Sequence, residues 1–160
     1  MLLVGIDLVD VKEVDAALTA FGERYRRRVL SEAESHAWPG ATLSSTALAE
    51  RVAAKEAATK VLRPEEDWLD WRDIALHSTS SGTWQIALHG RAYQLATEAG
   101  ITSIDVSFAR GGQQVLAVAV GHLAGAASPA PADSRQPAPM PGLTSPTPSQ
   151  VAAAKTNGAS

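Results

Sequence analysis

Apolar and polar positions in the first 124 residues follow two different periods, and each period predicts a different kind of element. In LLVGIDLVDV the apolar residues dominate and predict a strand, which puts Asp7 on the odd-numbered face with Leu3 and Val9. Two pairs of apolar runs, DIALHS with TWQIALH and SIDVSFA with QQVLAVAVGHL, are separated by the turn segments TSSG and RGG. Each pair predicts a β-hairpin.

Short helices are predicted where the apolar residues recur at helical spacing and a stop signal follows. VDAALTAF predicts a helix that ends at Gly22, and RAYQLATEAG predicts another with a glycine stop. In SEAESHAW, Ser31 and Glu34 have the spacing of a capping box, which predicts the start of a helix. Pro39 and Gly40 would end that helix.

The longest predicted helix covers residues 45–62, with Ser45 as its N-cap and Pro64 just beyond its end. The order of elements is then strand, helices, long helix, hairpin, helix and hairpin. This order predicts an α+β fold in which a mostly antiparallel sheet packs against the long helix and the shorter helices.

Composition divides the chain near residue 125. Residues 1–124 form the predicted folded domain, whereas residues 125–160 are rich in Pro, Ala and Ser. Such a segment cannot bury enough apolar surface to offset its ordering entropy, which predicts a disordered tail. A linker to a further domain is the alternative interpretation.

Charge and composition exclude several classes of function. The chain has a net charge of −3 and no cysteine, which gives no reason to expect nucleic acid or a membrane as partner and excludes thiol chemistry. No apolar run approaches the about 18 residues of a membrane span. Asp7 and Asp10 interrupt the N-terminal run, which also lacks the basic start of a signal peptide. We therefore expect a cytoplasmic protein.

Asp7 is the first candidate for chemistry, because Ile6 and Leu8 flank it in the predicted strand. A carboxylate in apolar surroundings is costly to bury unless something pairs with it. Asp7 is therefore either an edge-strand residue that points to water or a metal ligand. A metal ligand needs a second oxygen donor from another element.

The long helix offers Glu56 as that donor, close to the three cations Arg51, Lys55 and Lys60. Glu56 and Lys60 are four residues apart, as are Arg51 and Lys55, so two charged rows follow the helix. These rows are either surface ion pairs of ~0.5 kcal/mol each, or a site for an anionic ligand with a divalent cation.

A second charged feature is the run RYRRRVL, which contains Arg24, Arg26, Arg27 and Arg28. Runs of this kind are usually solvated faces. In an acidic protein, however, a concentrated basic patch can also dock an acidic partner and accelerate its encounter.

These segments together resemble the holo-acyl-carrier-protein synthase family of 4′-phosphopantetheinyl transferases. Members open with a strand of the type Gly–apolar–Asp–apolar, here VGIDLVDV, and carry a helix of the type GRFAAKEAxxKA, here LAERVAAKEAATKVL. YRRRVLSEAE, WRDIAL and HGRAYQLATEAGITSIDVSFA also follow in family order. The resemblance covers residues 1–122 and implies the phosphopantetheinyl transferase-like fold.

The resemblance implies a Mg²⁺-dependent enzyme of fatty acid biosynthesis that transfers 4′-phosphopantetheine from coenzyme A to a serine of an apo acyl carrier protein. The other product would be 3′,5′-ADP, and the enzyme would be a homotrimer with its sites between subunits. Position by position, it implies the following roles: metal binding and catalysis for Asp7 and Glu56, coenzyme A binding for Arg51, Lys55, Lys60, Ser107 and Arg110, and carrier-protein binding for Arg24, Arg27 and Arg28.

The chain departs from the family pattern at three places. The family strand ends in Ser–apolar–Ser/Thr–His, whereas this chain reads SFAR, which keeps Ser107 and replaces the last two residues by Ala109 and Arg110. RPEEDW stands where a Gly-Thr-Gly loop is common, and Glu50 replaces a glycine. These departures favour the alternative hypothesis, a non-catalytic relative that binds coenzyme A or a carrier protein without transfer. An unrelated α+β protein that matches by chance is a third reading.

Overall fold

The computed structural model describes residues 2–37, 43–64 and 68–125. Within these ranges, five strands form one sheet in the order β1-β5-β4-β3-β2, and every neighbouring pair is antiparallel. The strands are β1 Leu2–Asp10, β2 Ile74–Ser78, β3 Trp84–Leu88, β4 Ile101–Gly111 and β5 Gln114–Leu123. Both predicted hairpins are present, β2 with β3 and β4 with β5.

The helices of the described ranges are α1 Val11–Phe21, α2 Glu23–Val29, α3 Glu32–Ala37, α4 Ser45–Leu62 and α5 Gly90–Glu98, with a one-turn 3₁₀ helix at Trp71–Asp73. The predicted α+β fold, a mostly antiparallel sheet against one long helix, is confirmed. The arginine-rich segment is itself a helix, α2, which the sequence reading did not predict.

At the starts of α3 and α4, the caps predicted from the local sequence can be compared with the caps in the structure. The capping box of α3 forms as predicted: the Glu34 N–H donates to Ser31 Oγ at 3.2 Å, and the Ser31 N–H donates to Glu34 Oε2 at 2.8 Å. The N-cap of α4 is Ser44, whose Oγ accepts the Ala47 N–H at 3.2 Å, so the prediction of Ser45 was wrong by one residue. Ser45 Oγ instead donates to Asp15 Oδ1 at 2.5 Å.

The long helix α4 packs directly on β1 and β5. Five alanines of α4 are fully buried, so the helix approaches the sheet closely: Ala49, Ala53, Ala54, Ala57 and Ala58. At Gly5 an added Cβ would lie 2.0 Å from the Ala57 carbonyl oxygen, and at Gly121 it would lie 2.6 Å from Val61 Cγ1. The absence of side chains at Gly5 and Gly121 therefore allows α4 to lie on this face of the sheet, which is the odd-numbered face of β1.

The opposite face of β1 is apolar as well. Leu2, Val4, Ile6 and Leu8 alternate with the α4-facing residues, and each keeps 52–56% of its surface exposed. Within the described residues nothing covers this row. A strand that is apolar on both faces is typical of burial on both sides.

Some predictions concern residues outside the described ranges. These are the helix stop at Pro39 and Gly40, the acidic residues 65–67, and the disordered tail beyond Gly125. They stay predictions. Among the helices that are described, none combines the length and the hydropathy that a membrane crossing requires.

Candidate functional site

Asp7 and Lys60 meet between β1 and the last turn of α4. Lys60 Nζ donates to Asp7 Oδ1 at 2.9 Å and to the Ile6 carbonyl oxygen at 2.6 Å. Asp7 reaches this position because the two-residue period of the strand directs it to the α4 side. The carboxylate is largely buried, so of the two readings of Asp7 the one that points it to water is wrong.

Glu56 lies one helical turn before Lys60 and completes an acidic pair with Asp7. Partial burial raises the pKa of Glu56, and the negative charge of Asp7 raises it further, whereas the Lys60 ammonium lowers it. A cation bound beside Glu56 would offset the burial and the negative charge of Asp7 that raise the pKa of Glu56. The structure therefore brings Asp7, Glu56 and Lys60 into one electrostatic cluster, as the sequence predicted.

The Asp7–Glu56 pair offers only part of a metal coordination shell. In the described part of the chain no group of three or more His, Cys, Asp or Glu residues could hold a metal ion. Mg²⁺ is usually bound by one or two carboxylates plus substrate phosphates and water. The two carboxylates therefore fit Mg²⁺ if phosphate oxygens of a ligand and water complete its coordination shell. By themselves they would not surround the ion.

Lys55 lies next to Glu56 in the sequence but points to the interior. It is fully buried, and its Nζ donates to Glu34 Oε2 at 2.6 Å and to the Trp71 carbonyl oxygen at 2.9 Å. Burial lowers the pKa of Lys55, and the Glu34 carboxylate acts in the opposite direction. In this chain Lys55 joins α4 to α3 and is not part of the Asp7–Glu56 cluster.

Arg51, the second cation predicted for coenzyme A, is also buried. Its Nη1 donates to the Ala47 carbonyl oxygen at 2.7 Å, one turn earlier in α4. Of the two charged rows on α4, the row with Glu56 and Lys60 therefore belongs to the cluster with Asp7. The row with Arg51 and Lys55 is buried within the fold.

Glu34 is the acidic residue that the sequence reading did not connect to α4. Its carboxylate accepts hydrogen bonds from the Ser31 N–H, from Lys55 Nζ and from the Leu76 N–H at 3.2 Å. Three elements, α3, α4 and β2, are thus fixed by one buried side chain. The capping-box spacing identified Glu34, but only the fold reveals the two other partners.

Ser107 and Arg110 lie on opposite faces of β4. Ser107 is exposed on the face away from α4, so the structure does not bring it to the Asp7–Glu56 cluster. Arg110 lies on the α4 side and forms an ion pair with Glu50. Two positions at which the chain departs from the family pattern, Glu50 and Arg110, therefore contact each other.

The arginines of α2 lie at the surface, and two of them border a cavity. A cavity of about 250 Å³ is lined by Phe21, Arg24, Tyr25 and Arg28. Arg27 has a different partner, since its Nε donates to Glu23 Oε1 at 3.2 Å. The predicted patch is thus a mixed basic and aromatic surface, because Phe21 at the end of α1 and Tyr25 of α2 lie beside the arginines.

Arg28 also reaches a second cavity, which contains Glu56. Its guanidinium carbon lies 5.9 Å from the ring centroid of Trp68. The second cavity has a volume of about 200 Å³ and is lined by Arg28, Glu56, Trp68, Leu69, Asp70 and Trp71. Trp68 is the side chain of this site that the sequence reading missed, and an isolated tryptophan after a charged loop carries no periodic signal that would identify it.

The order of these residues along the chain agrees with a known family. Residues 3–119 match the sequence profile of the 4′-phosphopantetheinyl transferase superfamily, which is most of the described chain. The chain belongs to this superfamily. The match begins in β1 and ends in β5, so it contains Asp7, Glu56 and Lys60 together with the sheet that positions them.

Two relatives extend the match over nearly their whole length. The holo-[acyl-carrier-protein] synthase of Herpetosiphon aurantiacus is 37% identical over 128 residues, which cover 76% of this chain and 98% of that protein. The enzyme of the same name from Desulfovibrio desulfuricans is 37% identical over 117 residues, 72% of this chain and 93% of the relative. The resemblance inferred from the motifs is confirmed, and the chain is a transferase enzyme.

Solved structures of the family share the fold. The holo-[acyl-carrier-protein] synthase of Neisseria meningitidis superposes with a TM-score of 0.65 at 27% identity, over 75% of this chain and 97% of that one. The Helicobacter pylori enzyme in complex with coenzyme A gives a TM-score of 0.63 at 23% identity, over 75% of this chain and the whole of the other. At that identity the second likeness concerns the fold alone.

Proposed function

We propose that this transferase moves 4′-phosphopantetheine from coenzyme A to a serine hydroxyl of an apo acyl carrier protein and releases 3′,5′-ADP. The observation that carries the proposal is the cluster of Asp7, Glu56 and Lys60 beside a cavity that Arg28 borders. Carboxylates for a cation and a lysine for phosphate are what a reaction at a pyrophosphate requires.

Asp7 and Glu56 are the residues that would hold Mg²⁺. When bound there, the ion would supply charge neutralisation at the pyrophosphate under attack. Lys60 fixes the orientation of Asp7 through its hydrogen bond to Oδ1, and its half-exposed ammonium group can turn to a phosphate oxygen.

A carboxylate of the cluster or a water molecule accepts the serine proton in this reaction. Glu56 is the carboxylate proposed for that role, because it lines the cavity and because partial burial raises its pKa and so strengthens it as a base. Both metal binding and proton acceptance need Glu56 in its ionised form.

The basic surface of α2 would receive the carrier protein. Arg24, Arg27 and Arg28 project from its last two turns, and the exposed Phe21 lies next to them. An acidic partner would be steered to such a patch, and its affinity would fall as the salt concentration rises.

A homotrimer would cover the uncovered apolar row of β1. Leu2, Val4, Ile6 and Leu8 expose more apolar surface than a monomer usually leaves in one strand, which supports assembly of copies through this face. Light scattering after size exclusion tests the assembly: wild-type protein is expected as a trimer, and Val4→Glu as a smaller species. We place the reaction in the cytoplasm, where both proposed substrates occur.

The test of the reaction is the intact mass of an apo acyl carrier protein after incubation with the transferase, coenzyme A and Mg²⁺. A gain of one phosphopantetheine that EDTA prevents is the expected result. The matched control is Glu56→Gln, which should give no gain while it stays folded. No gain with wild-type protein across several carrier proteins would overturn the proposal.

A binding protein without transfer is the second candidate, and specific contacts favour it. Arg110 is engaged by Glu50 and Lys55 by Glu34, so two cations expected at coenzyme A are used within the chain. Saturable binding of coenzyme A by a protein that modifies no carrier would favour this second candidate.

A further inference from the structure

The cavity beside Glu56 has one wall that the proposed chemistry does not require. Trp68 is 74% exposed, although an indole is among the largest apolar groups of the chain. The Arg28 guanidinium faces its ring at a distance of 5.9 Å, a geometry in which a cation is attracted by the π-face. An exposed tryptophan held in place by a cation is a ready contact surface for a partner.

Arg28 connects this wall to the basic surface of α2. The same side chain borders the cavity with Phe21, Arg24 and Tyr25 and the cavity with Glu56 and Trp68. The two cavities are therefore neighbours on either side of Arg28. A partner bound at α2 would have a path along Arg28 and Trp68 to the carboxylate of Glu56.

The size of the second cavity indicates what can enter it. Sites that enclose a drug-sized ligand have volumes of roughly 300–1,000 Å³, whereas this cavity measures about 200 Å³. A cavity of this size on one subunit has room for a short stretch of chain with a small side chain. Among the described residues that line it, the one carboxylate besides Glu56 is Asp70, which is paired with a cation through hydrogen bonds from Arg72 Nε.

We propose that Trp68 is a positioning residue for the acceptor: with Arg28 it holds the serine-bearing segment of an acidic carrier protein in the cavity beside Glu56. This inference rests on the proposed function and deepens it. The indole contributes apolar contact and excludes water from the serine, while Arg28 contributes charge. Stacking of Trp68 on the nucleobase of coenzyme A is the competing assignment, because bases stack on aromatic side chains.

Steady-state kinetics separate the two assignments. Trp68→Ala should raise the KM for the apo carrier protein about tenfold, the equivalent of ~1.4 kcal/mol, and leave the KM for coenzyme A within about twofold. Trp68→Phe should recover most of the loss, because a phenyl ring still offers a π-face to Arg28. The matched control is Tyr93→Ala, which removes an exposed aromatic residue that lines neither cavity.

A binding measurement tests the same inference without catalysis. The probe is a carrier protein whose acceptor serine is replaced by alanine, titrated by calorimetry into wild type, Trp68→Ala and Tyr93→Ala. Only Trp68→Ala should bind it more weakly, again by about tenfold. Equal affinity of all three proteins, or a rise confined to the KM for coenzyme A, would overturn the inference. If wild type transfers nothing, the proposed function fails, and the binding titration still decides the role of Trp68.

Discussion

Two lysines of α4 make the same ion pair in opposite surroundings. Lys55 Nζ lies 2.6 Å from Glu34 Oε2, and both side chains are almost completely buried; Lys60 Nζ lies 2.9 Å from Asp7 Oδ1, and half of its side chain is exposed. The buried pair has α3, α4 and β2 packed around it, and both of its charged groups are hydrogen-bonded within the fold. The open pair lies where a phosphate can reach it. The sequence pattern of α4 does not distinguish the two lysines. The burial of their side chains does, and it indicates a structural role for Lys55 and leaves Lys60 open to a ligand.

The largest expected effect comes from removing a charge of the acidic pair. If the proposed function holds, Asp7→Asn and Glu56→Gln should each lower kcat by about a thousandfold or more, since each would remove a charge proposed to bind Mg²⁺ at the pyrophosphate. Thermal unfolding should show little change, because the Asp7–Lys60 ion pair is partly exposed and Glu56 is only partly buried. Full activity of both variants with unchanged Mg²⁺ dependence would contradict the assigned site.

The second prediction contrasts the two lysines directly. Lys55→Met should lower the free energy of unfolding by about 3–5 kcal/mol, because the Glu34 carboxylate would remain buried without its cation. Lys60→Met is the matched control and should cost less than about 1 kcal/mol, while its kcat/KM falls. Urea denaturation measures the first quantity and the carrier-protein assay the second. Equal destabilisation by both changes would refute the division into a structural and a chemical pair.

The Glu50–Arg110 pair lies between these extremes, because Glu50 is buried and Arg110 is mostly exposed. Arg110→Ala should destabilise the protein by about 1–2 kcal/mol, since a buried acceptor loses its donor. Arg110→Lys should restore part of this stability, although lysine lacks the planar donor edge. If urea denaturation gives Arg110→Ala the same free energy of unfolding as wild type, the prediction is wrong, and water hydrogen-bonds to Glu50 in place of the arginine.

The smallest expected effect is a difference between wild type and Glu56→Gln in how the free energy of unfolding depends on pH when no metal is bound. Because the pKa of Glu56 is raised in the folded state, the folded chain binds this proton more tightly than the unfolded chain does. Its contribution to stability is therefore present at acidic pH and is lost as the pH rises from the ordinary glutamate pKa of about 4.3 through the raised value. In EDTA, wild type should lose more stability than Glu56→Gln over this window. Parallel stability curves would contradict the raised pKa.

Local patterns predicted much of this architecture. The bounds of α4, the capping box of α3 and both hairpins follow from signals within a few residues. The apolar setting of Asp7 left two readings open, a side chain that points to water or a metal ligand, and neither of them predicted its ion pair with Lys60. The pairing of Asp7 with α4 could be anticipated because the family motif joins the two segments.

The remaining features depend on contacts between distant residues. Lys55 and Glu34 are 21 positions apart, and no local pattern indicates that a lysine beside an exposed-looking glutamate is buried. The separation of Ser107 from Arg110 could have been predicted, since residues three apart on a strand face opposite sides of the sheet. Trp68 offers no such signal, because its contact is with Arg28 of α2, 40 positions earlier in the chain.

The pairing of the first strand with the last has a consequence for how the chain is made. β1 is an edge of the sheet and pairs with β5, so Asp7 is opposite Ala117, a separation of 110 residues. During synthesis β1 leaves the ribosome with apolar residues on both faces and has no strand partner until β5 follows. Such a contact closes a long loop and forms slowly. The pairing of β1 with β5 is thus expected among the last contacts to form, and a chaperone that shields β1 should raise the yield of active transferase more than its stability.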